Sequence, residues 1–227
     1  YSYSLTAKND LDKKTGTIAV QNPLSRQFEY LRPDLAPSLL KNMVSNFRFF
    51  ETAKIFEIGK VFQERKEGAA ENWQLGIAIG SKKSEESSIF ELKGAVDELL
   101  DRVGLMGYFL KDEGDHLRIE SDHHVLGYLK PVGTLAVAEI NLDELLELVE
   151  GEREYEPLPK YPAITRDISI LVDLAARIGP IAQAIQEADL KHIEDVDLAD
   201  EYTSEELGEN KQSLTFRIIF QADDHTL

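Results

Sequence analysis

The chain has 227 residues, 42% of them hydrophobic, which is enough for one or two domains with ordinary cores. Its formal net charge is −17, whereas a generic nucleic-acid-binding protein presents a basic surface, so the composition argues against that class. It has no cysteine, which excludes disulfides and thiolate metal sites and is typical of a cytoplasmic protein. No run of about 18 apolar residues is present, so we expect no membrane span.

The first 50 residues predict two strands and a helix, with no leader before them. The chain starts at Tyr1 without a methionine or a charged-then-apolar segment, so we expect no signal peptide and interpret the chain as a fragment of a longer protein. Residues 1–5 alternate as a strand does, and residues 17–21 predict a second strand. Apolar side chains at helical spacing over residues 35–50 then predict an amphipathic helix.

The next hundred residues predict five strands and two helices. Strands are expected over 54–62, with an interruption at Gly59, and over 73–80. The remaining expected elements are a helix from Ile89 to Val103, strands over 117–120, 125–129 and 135–140, and a short helix over 142–150. Because helices accompany these strands without regular β-α-β alternation, residues 1–150 are predicted to form an antiparallel α+β domain.

A second domain is expected after an acidic linker over residues 151–158. Pro159 and Pro162 end the preceding structure because proline lacks an N–H donor and restricts its neighbour. The elements expected next are a strand over 163–172, a helix starting at Gly179-Pro180, and strands around 196–198 and 214–220. Residues 159–227 therefore predict a β-α-β-β unit, the first four elements of a ferredoxin-like fold, truncated before its second helix.

Several short motifs follow one another in an order typical of one family. They are Asn22-Pro23-Leu24-Ser25, Leu31-Arg32-Pro33-Asp34-Leu35, Phe56-Glu57-Ile58-Gly59-Lys60-Val61-Phe62, Leu92-Lys93-Gly94, the string from Gly127 to Gly133, and Arg166-Asp167 in the first strand of the second domain. In this order they resemble the C-terminal part of the bacterial phenylalanyl-tRNA synthetase beta subunit. The resemblance covers its class II synthetase-like module and its ferredoxin-fold anticodon-binding domain.

The resemblance implies a role in the ATP-dependent attachment of phenylalanine to tRNA. The first domain is then a non-catalytic scaffold for the alpha subunit, and the second binds the tRNA anticodon stem, within an α2β2 assembly that uses ATP and magnesium. We expect no cofactor in this fragment itself, and neither DNA nor a membrane as a partner. The alternative is a non-catalytic regulatory or interaction module whose ferredoxin-like domain binds a small molecule or a protein.

The arginines that a class II aminoacylation site needs are not evident in the sequence. Such a site places one arginine near the motif 2 strand and another on a Gly-rich motif 3, where they neutralise the ATP phosphates. Beyond the strand of residues 54–62, the nearest candidate is Arg65, which is followed by Lys66 and Glu67. Arg153 has no Gly-rich approach and no apolar helix after it. We therefore assign no catalytic residue and expect the fragment alone to be inactive.

A histidine cluster is the strongest metal-site candidate, and we do not assign it a metal. His116, His123 and His124 occur with Asp115 and Asp122. Neighbouring residues of a strand point to opposite faces, so His123 and His124 cannot both bind one ion without a distorted loop. Surface or turn histidines are the favoured interpretation.

Four cations of the second domain are candidates for RNA contact: Lys160, Arg166, Lys211 and Arg217. By alternation, Lys211 and Arg217 point away from the helix together with Asp167, and Ala199 and Glu201 are expected on that same side. An RNA-binding sheet usually offers stacking aromatics and cations. A cross-strand pair between Arg217 and Asp167 is an equally good interpretation.

The helix of residues 35–50 carries more apolar side chains than one buried stripe requires. Excess apolar residues on a helix commonly mark an interface. The candidates for contact with a partner subunit are Leu39, Met43, Phe47, Phe49 and Phe50. The alternative is that these apolar side chains are buried in a deeper core of the domain itself.

Overall fold

The chain divides into two units, Tyr1–Arg153 and Glu154–Leu227, in this computed structural model. The structure describes residues 3–11, 16–66, 68–82, 85–105, 107–121, 123–149, 160–189, 191–222 and 224–227. The expected acidic linker over 151–158, with Arg153 in it, lies outside the described residues. So do Tyr1 and Asp122.

The first unit is built from antiparallel strands. Two short ones, β1 (Leu5–Thr6) and β2 (Tyr30–Leu31), pair with each other. The others are β3 (Thr52–Arg65), β4 (Gly68–Ser81), β5 (Phe109–Asp112), β6 (Leu117–Ser121), β7 (His124–Val132) and β8 (Leu135–Asn141). These form one six-stranded sheet in the order β3-β4-β8-β7-β6-β5, so β3 and β5 are its edges.

Three helices cover both faces of the six-stranded sheet. They are α1 (Ala36–Asn46) on one face, and α2 (Glu85–Arg102) and α3 (Leu142–Leu148) on the other. The central strand β8 is buried on both faces because alternate residues enter different cores. Leu135 and Val137 pack with α1, while Ala138 and Ile140 join the core under α2.

The N-terminus of α1 is capped by a residue distant in sequence. The N-cap residue is Leu35, whose side chain cannot accept a hydrogen bond, so the first N–H groups of the helix need another acceptor. Glu139 of β8 supplies it: its Oε1 accepts from the backbone N–H of Leu35 at 2.5 Å and from that of Ala36. The buried carboxyl group therefore anchors α1 to the sheet.

Burial and the helix dipole have opposite effects on the pKa of Glu139. The residue is only 4% exposed. Its pKa is raised from 4.5 to about 7, first by burial and second by the nearby Asp34 carboxylate, although the two backbone N–H groups act to lower it. A helix N-terminus stabilises a carboxylate by about 0.3–2 kcal/mol, which is less than the usual cost of burying a charge.

A second buried contact joins the segment before α1 to edge strand β3. Arg32 Nη1 binds Glu57 Oε1 at 2.7 Å, and Arg32 Nε donates to the carbonyl oxygen of Lys60 at 2.9 Å. Gly59 lies under this arginine, and a Cβ there would collide with the guanidinium group. The contact requires glycine at that position.

The second unit is a three-stranded antiparallel sheet with one longer helix. Its elements are β9 (Ile164–Asp173), α4 (Ile178–Gln186), β10 (Ile193–Tyr202) and β11 (Lys211–Phe220). The strand order is β10-β11-β9, so β9 and β10 are parallel and β11 runs between them. This is the split β-α-β arrangement of ferredoxin-like folds. Leu214, Phe216 and Ile218 of β11 form its core.

The predicted α+β class with antiparallel sheets is confirmed, and several local expectations need correction. Residues 17–21 form no strand and contribute only an isolated bridge from Ala19 to Tyr30. Strand β3 continues through Gly59 without the expected interruption, because its partner β4 pairs along the full length. Strand β5 was not expected. Among the described residues, no helix is both long and apolar enough to cross a bilayer.

We predict that Glu139 makes stability fall as pH rises. Its pKa is higher in the folded chain, so the folded state binds the proton more tightly, and the free energy of unfolding decreases between about pH 4.5 and 7. Glu139→Gln keeps an acceptor for α1 but cannot ionise. Relative to the native chain, it should gain stability on the order of 3 kcal/mol across that range. Denaturant unfolding of both proteins at pH 5 and pH 8 measures this.

The matched control for this experiment is Glu71→Gln, at a surface carboxylate of the same sheet that pairs with Lys60 at 2.8 Å. It should leave the pH dependence of unfolding close to that of the native chain. An equal gain in both variants would show that burial of Glu139 is not the cause.

Candidate functional site

One face of the second unit's sheet carries exposed polar side chains. The buried residues of β11 point to the helix side, so residues in the alternate positions point away from it. On that outward face lie Thr165, Asp167, Ser169, Leu171, Asp173, Lys211, Ser213, Thr215, Arg217 and Ile219 from β9 and β11. We call this set, with the outward residues of β10, the open sheet face.

Both predicted cations of the open sheet face are paired with carboxylates. Arg217 binds Asp167 with two hydrogen bonds, Nε to Oδ1 at 3.0 Å and Nη2 to Oδ2 at 2.9 Å. The arginine lowers the pKa of Asp167. Lys211 Nζ contacts Asp173 Oδ1 at 2.6 Å. The expected Arg217–Asp167 pair is therefore present, and it is exposed to solvent.

The other two predicted cations lie elsewhere. Arg166 pairs in register with Ile218, so it is on the helix side of β9, where it is exposed and donates to the carbonyl oxygen of Thr165 at 3.0 Å. Lys160 is exposed and precedes β9. Of the four, only Lys211 and Arg217 lie on the open sheet face, both on β11.

A β-bulge in β10 places a tyrosine on the open sheet face. The register shifts between Leu198, opposite Phe216, and Asp200, opposite Thr215, so Ala199 is an extra residue. The shift turns Glu201 toward the helix side, opposite Leu214, which corrects its expected outward direction. Tyr202 then lies outward.

Tyr202 is the functional candidate that the sequence pattern did not reveal. It pairs with Ser213 and is 54% exposed. Leu171 pairs with Ser213 from the other side and is 56% exposed. The two side chains flank the small serine, and an aromatic ring in this position can stack on a nucleobase. A strand without a bulge would have placed Tyr202 on the helix side.

In the first unit, the predicted subunit surface is partly buried. Leu39 and Met43 are in the core between α1 and the sheet, because Gly76, Ala78 and Gly80 of β4 allow the helix to approach closely. Phe47 packs at the edge of the same core. These three contribute little or no free surface, which corrects the expectation for them.

Exposed apolar residues instead follow edge strand β3. Phe49 is 81% exposed, and Phe50, just before β3, is also exposed. Within β3, Phe56 and Ile58 are exposed on the α2 side of the sheet, and the neighbouring Trp73 of β4 is half-exposed. We call these five residues the apolar edge. Such a concentration is more typical of an interface than of a monomer surface.

Two cations on the α1 face of the sheet are paired with carboxylates. Arg118 is bound to Glu113, at 3.0 Å, and to Glu120. Lys130 is bound to Asp115 at 2.8 Å. Arg65 is exposed at the end of β3. Carboxylates therefore neutralise Arg118 and Lys130, whereas a phosphate site requires uncompensated positive charge.

The histidines of the first unit make separate contacts. His116 Nδ1 lies 2.7 Å from Asp115 Oδ1, and His124 Nδ1 lies 2.8 Å from Glu144 Oε2. His123 lies in the turn before β7 with φ 69°. Within the part of the chain that the structure describes, no group of three or more His, Cys, Asp or Glu side chains is arranged to hold a metal ion.

Both units match known domain families. Residues 1–127 match the family described as the phenylalanyl tRNA synthetase beta chain CLM domain. Residues 159–227 match the ferredoxin-fold anticodon binding domain. Two successive matches of this kind favour the interpretation as a beta subunit over that as an unrelated interaction module.

Similar full-length proteins are phenylalanine–tRNA ligase beta subunits. That of Dehalococcoides mccartyi strain CBDB1 is 28% identical, over all of this chain and 32% of the relative. That of Listeria monocytogenes strain EGD-e is 30% identical over the same shares. That of Clostridium acetobutylicum is 31% identical, over 92% of this chain and 29% of the relative. This chain spans about a third of the length of these curated relatives. It belongs to the family of phenylalanine–tRNA ligase beta subunits.

Proposed function

We propose that this chain is the part of a phenylalanine–tRNA ligase beta subunit that binds tRNA through residues 159–227 and supports the alpha subunit through residues 1–150. Residues 151–158 are the linker between these domains. The observation that carries the proposal is the open sheet face, where Tyr202 lies exposed among hydroxyl groups in a domain matching the anticodon-binding family. Aromatic side chains on an open sheet are a common means of binding unpaired bases.

The catalytic step belongs to the alpha subunit in this proposal. The complete enzyme is an α2β2 assembly in the cytoplasm that uses ATP and magnesium. The support for a non-catalytic role of this chain is the pairing of Arg118 and Lys130 with carboxylates. No step of the reaction is assigned to its residues.

RNA contact by the second domain has to overcome an unfavourable charge. Residues 157–227 carry a net charge of −8, which repels phosphates at long range. Base stacking is insensitive to that charge and contributes about 1–3 kcal/mol per base. We therefore infer that Tyr202 contributes most of the affinity and that Lys160, Arg166, Lys211 and Arg217 add a salt-sensitive part.

We predict that Tyr202→Ala weakens tRNA binding by about tenfold or more, the equivalent of one lost stacking contact. Filter binding of the purified chain to tRNA at low salt measures the dissociation constant. Tyr3→Ala, at an exposed tyrosine of the first unit, is the matched control and should have no effect. Unchanged binding in Tyr202→Ala would contradict the placement of the base on this face.

We predict opposite effects for the two members of the Arg217–Asp167 pair. Asp167→Asn removes a negative charge and releases the guanidinium group, so tRNA binding should tighten. Arg217→Ala should weaken it and reduce the dependence of log affinity on log salt by about 0.7. Filter binding across a salt series checks both variants. If the two changes have the same sign, Arg217 does not contact a phosphate.

The support for an alpha-subunit contact in the first domain is the apolar edge. Of the predicted interface residues, Phe49 and Phe50 belong to it, whereas Leu39, Met43 and Phe47 pack in the core between α1 and the sheet. Edge strands with exposed apolar side chains tend to associate unless they are covered. A partner subunit packed along β3 would cover this one.

We predict that Phe56→Lys with Ile58→Lys prevents co-purification with a co-expressed bacterial alpha subunit. Charged side chains at these positions leave the cores unchanged but remain unpaired in an apolar interface. Leu24→Lys is the control, since Leu24 is exposed outside the apolar edge. Retention of the alpha subunit by the double variant would place the interface elsewhere.

A further inference from the structure

The α1 face of the six-stranded sheet contains an unassigned cavity of about 270 Å³. Four neighbouring strands contribute to it, and the polar side chains in its wall are Gln74, His116, Arg118, Tyr128, Glu139 and Asn141. Its size suits a small metabolite, since typical pockets for drug-sized ligands begin at about 300 Å³.

Hydrogen-bond acceptors are concentrated at one end of the cavity. Glu139 is in its wall; Oε1 of its carboxyl group accepts from α1, and the hydroxyl group of Tyr128 also hydrogen-bonds this carboxyl group, which can accept further hydrogen bonds. Gln74 Oε1 is buried and accepts no hydrogen bond from any described residue. Gln74 and Asn141 are directly opposite each other on β4 and β8, and Glu139 is two positions before Asn141 on the same face. A buried amide oxygen without a donor is unusual in a folded protein.

The charge around the cavity favours a cation. Arg118 is compensated by the two carboxylates of Glu113 and Glu120. Lys130 and His116 are both bound to Asp115. Ionised Glu139 adds a further negative charge, and the carboxylate of Asp34 and the guanidinium group of Arg32 are both near enough to act on it. The charges around the cavity would therefore attract a positively charged ligand and repel an anion.

We propose that this cavity binds a small molecule through a primary ammonium group, which donates to Glu139 and to Gln74 Oε1. An ammonium has three N–H donors, and the hydroxyl oxygen of Tyr128, which is also in the cavity wall, can accept from the third. The site is independent of the proposed tRNA and alpha-subunit contacts, which use other residues.

Titration of the purified chain with n-butylammonium at pH 8, followed by amide chemical shifts, tests the proposal. We expect shifts at residues of the cavity wall and a dissociation constant on the order of millimolar, as such a small ligand permits. Glu139→Gln and Gln74→Leu should each weaken binding at least about tenfold, and Glu71→Gln should not. The uncharged n-butanol should produce no shifts at these residues. Equal responses to the amine and the alcohol would overturn the proposal.

Two further probes identify the source of the ammonium group. Binding of both L-alaninamide and n-butylammonium supports an α-amino compound, whereas binding of n-butylammonium alone supports an alkyl amine. If neither L-alaninamide nor n-butylammonium binds, the proposal is overturned. Affinity of the native chain should also rise between pH 6 and pH 8, as Glu139 ionises, and Glu139→Gln should lose this rise. An identical pH profile in that variant would exclude Glu139 as the acceptor.

Discussion

The carboxyl group of Glu139 connects α1 to the centre of the six-stranded sheet. Glu139 belongs to β8, yet its carboxyl group accepts a hydrogen bond from the backbone N–H of Leu35, which lies 104 positions earlier in the chain. Correct placement of α1 in turn buries Leu39 and Met43 over the small residues of β4. The Arg32–Glu57 contact holds the preceding segment against β3. The first unit thus relies on buried polar contacts to orient a helix whose apolar stripe alone would permit several positions.

The sequence pattern was sufficient for the elements with strong periodicity and insufficient for contacts between distant segments. The helices α1 and α2 and the strands β3, β4 and β8 were predicted because their apolar residues repeat at 3.6 or 2 positions. Strand β5, with four residues, is too short to show a period. No local signal indicates that Glu139 caps α1, since the two are far apart in sequence. The interruption expected at Gly59 is absent because that glycine accommodates Arg32 rather than breaking the strand.

Net charge and local charge give different information about the second unit. The domain is strongly acidic, but on the open sheet face both strand cations are already neutralised by neighbours. The proposed recognition of RNA there would depend less on attraction to the phosphate backbone than on the shape and stacking of exposed groups. The same contrast applies to the first unit, where compensated cations leave a cavity suited to positive rather than negative ligands.

The bulge at Ala199 makes the two halves of β10 independent in their orientation. Residues before it and residues after it follow opposite alternation, so the apolar pattern of Val196 and Leu198 places no constraint on which side Tyr202 occupies. Regular pairing of Ala199, with no residue left over, would exchange Tyr202 and Glu201 between the two faces, whereas deletion of Ala199 would leave both on their present faces. Whether Ala199 is left unpaired therefore determines whether Tyr202 or Glu201 lies on the open sheet face.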